Sequence, residues 1–269
     1  MITMHKDDKI MSLMRSWPPG AVFTSEWLIH EKGYSRGLLQ QYRKSGWIQL
    51  VGKGAYRRVE FDENGKLIPL HWSGGVYALQ ALSKSGMQVH VAARTALELK
   101  GMSHYLNLSG KETVWLFTKT GYRVPTWFKN FDWGAKIKLH STKLFSKSLP
   151  DTFSTKDWGA FVSRTSCPER AMMEALELCP QGESLGHAKQ LMENMAGIRP
   201  QVAMQLLEAC TSIKVKRLFL ALADVCNHDW LNKINIDKID LGVGDRVLES
   251  GQGFHSKFKI SVPKEGNMG

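Results

Sequence analysis

Residues Thr24 to Arg58, TSEWLIHEKGYSRGLLQQYRKSGWIQLVGKGAYRR, constrain the fold of this chain more than any other segment. Two short helical patterns meet at Gly33, and a hairpin pattern follows with Gly52-Lys53-Gly54 at its tip. Thr24 is placed to cap the first helix, and Glu26 suits the positive end of its dipole. Phe23 before that cap and Leu28 four residues after it have the spacing of a hydrophobic staple. Gly33 can end the helix cheaply in the left-handed conformation. Ser35 then caps a second helix, with Tyr34 and Leu39 in the same staple relationship, and Gly46 closes it after Ser45. Upstream, Ile10, Leu13, Met14 and Trp17 recur at the spacing of one buried face. They predict a helix from Asp7 to Arg15 that stops at Pro18-Pro19-Gly20.

The charge in this segment has one sign. From Lys32 to Arg58 there are seven Lys or Arg and no Asp or Glu. The helical period puts Arg36, Gln40, Arg43 and Lys44 on one face of the second helix and Leu38, Leu39 and Tyr42 on another. Arg can bond guanine bidentately and Gln can bond adenine in the major groove. Lys44 and some of the arginines suit phosphate contacts, which position a protein without reading sequence. The hairpin pairs Trp47–Val51 with Ala55–Val59. Its Gly-Lys-Gly tip would let backbone approach a phosphate or a minor groove closely, and Lys53, Arg57 and Arg58 supply charge. The predicted DNA-contacting set is Thr24, Ser35, Arg36, Gln40, Gln41, Arg43, Lys44, Lys53, Arg57 and Arg58. A helix-turn-helix followed by a basic wing is an architecture for gripping duplex DNA. Two plainer readings stand beside it: a basic face that only solvates an exposed helix, and a β-turn that simply needs glycine.

The whole chain agrees in sign. Its 269 residues carry a net charge of +11, which favours a polyanionic partner, either nucleic acid or an acidic membrane surface. No apolar run approaches the roughly 18–20 residues of a membrane span, and the N-terminus lacks a signal-peptide core. Cys167, Cys179, Cys210 and Cys226 lie far apart with no C-x-x-C pair. They read as reduced thiols of a cytoplasmic protein rather than a disulfide framework or zinc site.

Beyond Asp62-Glu63-Asn64-Gly65, read as a linker, the pattern changes. Val76, Leu79 and Leu82–Ser83 suggest a helix, and Ala92–Lys100 another. Glu112–Thr118, Lys136–His140 and Gly159–Ser163 read as strands. Helices follow at about 168–178, 184–195, 200–209 and 213–226, and Val243–Glu249 with Ser256–Val262 reads as a closing hairpin. The expected fold is α+β: a winged helix-turn-helix domain over 1–64, then a larger mixed α/β domain over 65–269. Between Lys111 and Lys147, eight Lys or Arg are interleaved with Trp115, Tyr122, Trp127, Phe128, Phe131 and Trp133. This stretch is either a stacking platform for nucleic acid or a core with a solvated basic rim.

The phrase Ser35-Arg36-Gly37-Leu38-Leu39, Tyr42 through Ile48, and Gly52-Lys53-Gly54-Ala55-Tyr56 resembles the winged-helix domain of AbiEi-type antitoxins. These belong to type IV toxin–antitoxin and abortive-infection systems of bacteria. The resemblance continues at His90 through Leu99, Gly101, His104-Tyr105-Leu106, Lys214 through Leu220, Asp240-Leu241-Gly242 and Lys257 through Pro263, so it spans nearly the whole chain. The chain departs from the family pattern in being less glycine-rich at Ala92-Ala93 and less basic over Val243–Lys257, with Asp245, Glu249 and His255. The resemblance implies a transcriptional autorepressor that binds inverted repeats in its own promoter. It also implies an antitoxin that counters a nucleotidyltransferase toxin without a stable complex. No motif of the chain calls for a cofactor.

Enzyme motifs are sparse. The chain has no Walker loop, H-E-x-x-H or G-x-S-x-G. Asp224, His228 and Asp229 form a close acid–imidazole group, read as a helix cap and solvated turn. Leu241-Gly-Val-Gly-Asp and Ser250-Gly-Gln-Gly open no helix, so neither suits a phosphate cradle. An orphan winged-helix regulator without antitoxin activity, and a DNA-targeted enzyme such as a nuclease, remain as alternatives.

Overall fold

A computed structural model describes residues 6–81, 88–102, 110–249 and 252–264. The Leu82–Ser83 helix end, His104-Tyr105-Leu106 and Ser250-Gly251 of the sequence reading lie outside the described residues. The chain is α+β.

The first part runs α1 (Lys6–Ser16), β1 (Val22–Thr24), α2 (Ser25–His30), α3 (Arg36–Lys44), β2 (Ile48–Gly52) and β3 (Ala55–Arg58). The strands form an antiparallel sheet in the order β1-β3-β2. Ile10, Leu13 and Trp17 of the predicted first-helix face are buried, with Phe23, Leu28, Leu39, Tyr42 and Ile48 around them. Trp17 stacks on Phe23 with ring centroids 4.4 Å apart, and its indole N–H donates to the Ala21 carbonyl at 3.0 Å. Phe23 therefore serves both as the staple before α2 and as a residue of β1, a strand too short to show in the sequence pattern.

The larger part is built on a five-stranded mixed sheet, order β6-β5-β4-β8-β7. Its strands are β4 (Val89–Val91), β5 (Thr113–Lys119), β6 (Lys136–Thr142), β7 (Phe153–Asp157) and β8 (Val162–Ser166). β5 and β6 run parallel, as do β4 and β8; the other neighbours are antiparallel. Side chains alternate across a strand, so β5 feeds two cores. Val114 and Leu116 face one, and Trp115 and Phe117 face the other. Burial on both faces explains why Glu112–Thr118 reads as a near-continuous apolar run rather than an alternation.

On the first face lies α4 (Trp72–Ala81), with Leu70, Val76, Leu79, Trp127, Phe128 and Trp133; Val22, Val51 and Ala55 of the winged part belong to the same core. Helix α4 carries two glycines because it is squeezed. A Cβ on Gly74 would overlap the Gly20 carbonyl oxygen, and one on Gly75 would sit 2.5 Å from the Trp133 ring. On the other face α5 (Ala93–Glu98), α7 (Pro168–Leu178), α8 (Leu185–Glu193), α9 (Pro200–Ala209) and α10 (Ile213–Val225) enclose the largest core. The short α6 (Thr126–Lys129) lies against β2. The proposed linker is a tight turn in which the Asp62 carboxylate accepts from the N–H groups of Asn64 and Lys66 at 3.0 and 2.8 Å.

Two strand predictions are corrected. Only Val162 and Ser163 of the predicted Gly159–Ser163 strand belong to β8, because Trp158–Phe161 closes the turn from β7. The closing hairpin pairs β9 (Gly253–His255) with β10 (Ile260–Val262), not Val243–Glu249 with β10. Gly242 and Gly244 adopt positive φ there and Val243 and Val247 are exposed, so the segment meets β10 only through an isolated parallel bridge from Arg246 to Ile260, with Leu248 packed on the core beside it.

Candidate nucleic-acid interface

The helix-turn-helix forms from its caps. Thr24 Oγ1 accepts from the Trp27 N–H, and Ser35 Oγ accepts from the Leu38 N–H, both at 3.2 Å. Gly33, at φ +70°, turns the chain between the two helices. Thr24 and Ser35 thus use their hydroxyls to start helices. On α3, Leu39 and Tyr42 are buried, while Arg36, Gln40, Gln41, Arg43 and Lys44 are exposed. The cationic face predicted for α3 therefore points to solvent as a group, with no carboxylate of the described residues paired to its cations.

The wing is tied down at its tip. The Gly54 carbonyl, on a residue at φ +86°, accepts from the Ser25 N–H at 2.8 Å, which fixes the wing beside the start of α2. Gly52 is required by contact: a Cβ there would lie 2.8 Å from Trp127 of α6. Lys53, between them, is exposed.

Arg57 and Arg58 do not supply free charge to the wing. Arg57 is 5% exposed; its guanidinium donates to the Ile68 and Arg58 carbonyls, and burial lowers its pKa, opposed by Glu60. Arg58 donates to the Met14 carbonyl at 2.9 Å and pairs with Glu60 at 2.9 Å. Strand alternation from the tip turns Arg57 inward, where backbone carbonyls claim it. The sequence reading passed over Trp47 and Leu50, exposed large side chains near the C-terminal end of α3. Leu50 joins Arg43 and Phe61 in lining a shallow groove of about 570 Å³. Strand alternation signalled neither Trp47 nor Leu50: Trp47 precedes β2, and Leu50 shares its parity with buried Ile48 and is turned out where the register shifts between Leu50 and Gly52.

The basic-aromatic stretch divides as a core with a rim. Trp127, Phe128 and Trp133 are buried in one core with Tyr122 and Phe131 packed half-buried against it, and Trp115 is buried in the other, so no stacking platform is presented. The eight cations from Lys111 to Lys147 are exposed. The Asp224-His228-Asp229 group also separates. His228 is buried, with Nε2 2.7 Å from the Met192 carbonyl, and Asp224 pairs instead with His255 at 3.0 Å.

Sequence comparison now decides the family. A profile described as "Transcriptional regulator, AbiEi antitoxin, Type IV TA system" matches residues 111–263. One described as "Transcriptional regulator, AbiEi antitoxin N-terminal domain" matches residues 6–108. This chain belongs to the AbiEi antitoxin family. As an AbiEi-family chain it is a member of a transcriptional-regulator family of type IV toxin–antitoxin systems. No curated protein matches it by sequence. Its fold is similar to that of the crystal structure of the RV2827C protein from Mycobacterium tuberculosis. That match has a TM-score of 0.62 at 14% identity, over 93% of this chain and 88% of that one. The described residues of this AbiEi-family chain contain no helix long and apolar enough to cross a membrane.

Proposed function

We propose that this AbiEi-family chain is a DNA-binding autorepressor and antitoxin. Its α3 enters the major groove of inverted repeats in its own promoter, with Arg36, Gln40 and Arg43 toward base edges and Lys44 and Lys53 on phosphate. The observation that carries this reading is the solvent-facing group Arg36, Gln40, Arg43 and Lys44 on a helix held from behind by buried Leu39 and Tyr42. A face built only for solvation would mix signs; this one has no acid, and the tethered wing lies in the same domain. The functional counterpart is a nucleotidyltransferase toxin, countered without a stable complex, and the larger domain carries that activity.

The test is titration of the protein into its own promoter DNA beside a scrambled duplex, across a salt series. A preference of several orders of magnitude supports the repressor reading. Equal, steeply salt-dependent binding to both duplexes overturns it. Growth rescue on co-expression with the neighbouring nucleotidyltransferase gene tests the antitoxin half.

A further inference from the structure

A second cationic site lies on the larger domain, where β5 and β6 end side by side at Lys119 and Thr142 and β4 begins. A cavity of about 540 Å³ opens there, within the range that holds a nucleotide-sized ligand. Lys119, Lys143, Lys147, Arg164 and Arg170 line it, and among the described residues its lining holds no carboxylate.

At its base Arg170 is held rigidly. Nε donates to Glu174 at 2.8 Å and Nη1 to Thr152 Oγ1 at 3.0 Å. The guanidinium lies 4.2 Å from the Phe153 ring centroid and 4.6 Å from that of Phe145. Nη2 has no acceptor among the described residues. Glu174, fully buried behind it, is itself satisfied: it accepts from His90 Nε2, the Ala93 N–H, Ser166 Oγ and Arg170. Ala93 reaches it from the left-handed region, at φ +49°. The Glu174 network explains why Arg170 is in place. It does not explain why Lys119, Lys143, Lys147 and Arg164 converge on the same hollow, since none of them pairs with a carboxylate among the described residues. Glu177 beside the rim is engaged by Thr142 Oγ1 at 2.8 Å. One guanidinium locked by a carboxylate, with a nitrogen left over and four cations around it, is suited to a doubly charged oxyanion.

We propose that this cavity binds a phosphate monoester of nucleotide size, with the phosphate on Arg170 and the lysine rim. The ligand chemistry has two sources, a free mononucleotide or the terminal phosphate of a nucleic-acid strand. The site is separate from α3 and does not depend on the promoter-binding reading.

Calorimetric titration of the full chain with AMP and with a 5′-phosphorylated trinucleotide tests this, against adenosine and the unphosphorylated trinucleotide. Binding of AMP supports the proposal and assigns the free nucleotide; binding of the phosphorylated trinucleotide alone supports it and assigns the strand end. The variant Lys119→Ala/Lys143→Ala/Lys147→Ala changes only exposed side chains. It is expected to weaken binding about tenfold or more and to leave promoter affinity unchanged. Arg170→Lys, which keeps the charge but loses the fork, is expected to weaken binding too; should it fail to fold, the triple variant decides. Four results overturn the proposal: no binding of either phosphorylated probe at millimolar concentration, equal binding of the unphosphorylated probes, undiminished binding by the triple variant, or a parallel loss of promoter affinity in it.

Discussion

Arg43 and Arg57 carry the same guanidinium into opposite settings. Arg43 is exposed on α3, whereas Arg57 is buried against the Ile68 and Arg58 carbonyls. Their substitutions therefore separate binding from stability. Arg36→Ala or Arg43→Ala is expected to lower promoter affinity by about 1–3 kcal/mol, with the denaturation midpoint nearly unchanged. Gel-shift and urea titrations of the same samples check both halves. Arg57→Ala is expected to do the reverse. It removes a donor from buried carbonyls, at a cost of about 1–3 kcal/mol of folding stability, and leaves the affinity of the folded fraction intact. Lys53→Ala removes one wing-tip cation. It should weaken binding to specific and scrambled duplexes alike and reduce the salt slope by about 1. An unaltered slope would argue against a phosphate-contacting wing.

At the scale of elements, capped helices and the longer apolar strands were legible, and the strands without an apolar pattern of their own were not. Caps, stops and apolar spacing located α1, α2, α3, α7, α8, α9 and α10 because each is an amphipathic or enclosed helix with its own local signal. The three-residue strands β1 and β4 gave no periodicity to read, and β7, with the sequence FSTKD, has none either. Helix α4 formed despite Gly74 and Gly75, residues that weaken an isolated helix. Their value is clearance, which only packing reveals. Gly74→Ala is expected to destabilise the chain by about 1–3 kcal/mol, since its Cβ would meet the Gly20 carbonyl. A urea melt that matched the parent, or exceeded it as helix propensity alone predicts, would contradict that contact.

For the whole molecule, the buried Glu174 network is an acid-sensitive tie between β4, α5, β8 and α7. Burial alone would raise the Glu174 carboxyl, but the opposing pull of His90, Arg170 and Ser166 brings it down to about 2. A carboxyl held below its unfolded value contributes stability that is complete above that unfolded value and lost as pH falls through the folded one. The chain is therefore expected to lose stability progressively between about pH 5 and pH 2. Glu174→Gln should cost roughly 3–5 kcal/mol at neutral pH and flatten the acid limb of a stability–pH curve. An unchanged limb would remove Glu174 from the account.

The local code of this chain, meaning its caps, helix stops, apolar spacing and one-signed charge, was enough to specify a helix-turn-helix with a wing and an exposed cationic α3. Each of those features depends on residues within a turn or two of one another. Other features rest on contacts between residues far apart in sequence: the inward turn of Arg57, the placing of the Lys111–Lys147 rings in a core, and the parting of Asp224 from His228. The same holds for the assembly of His90, Arg170 and Glu174 beneath a cationic cavity, which pairs residues 84 apart. Packing sets burial and partner choice at such positions, and no local spacing encodes it.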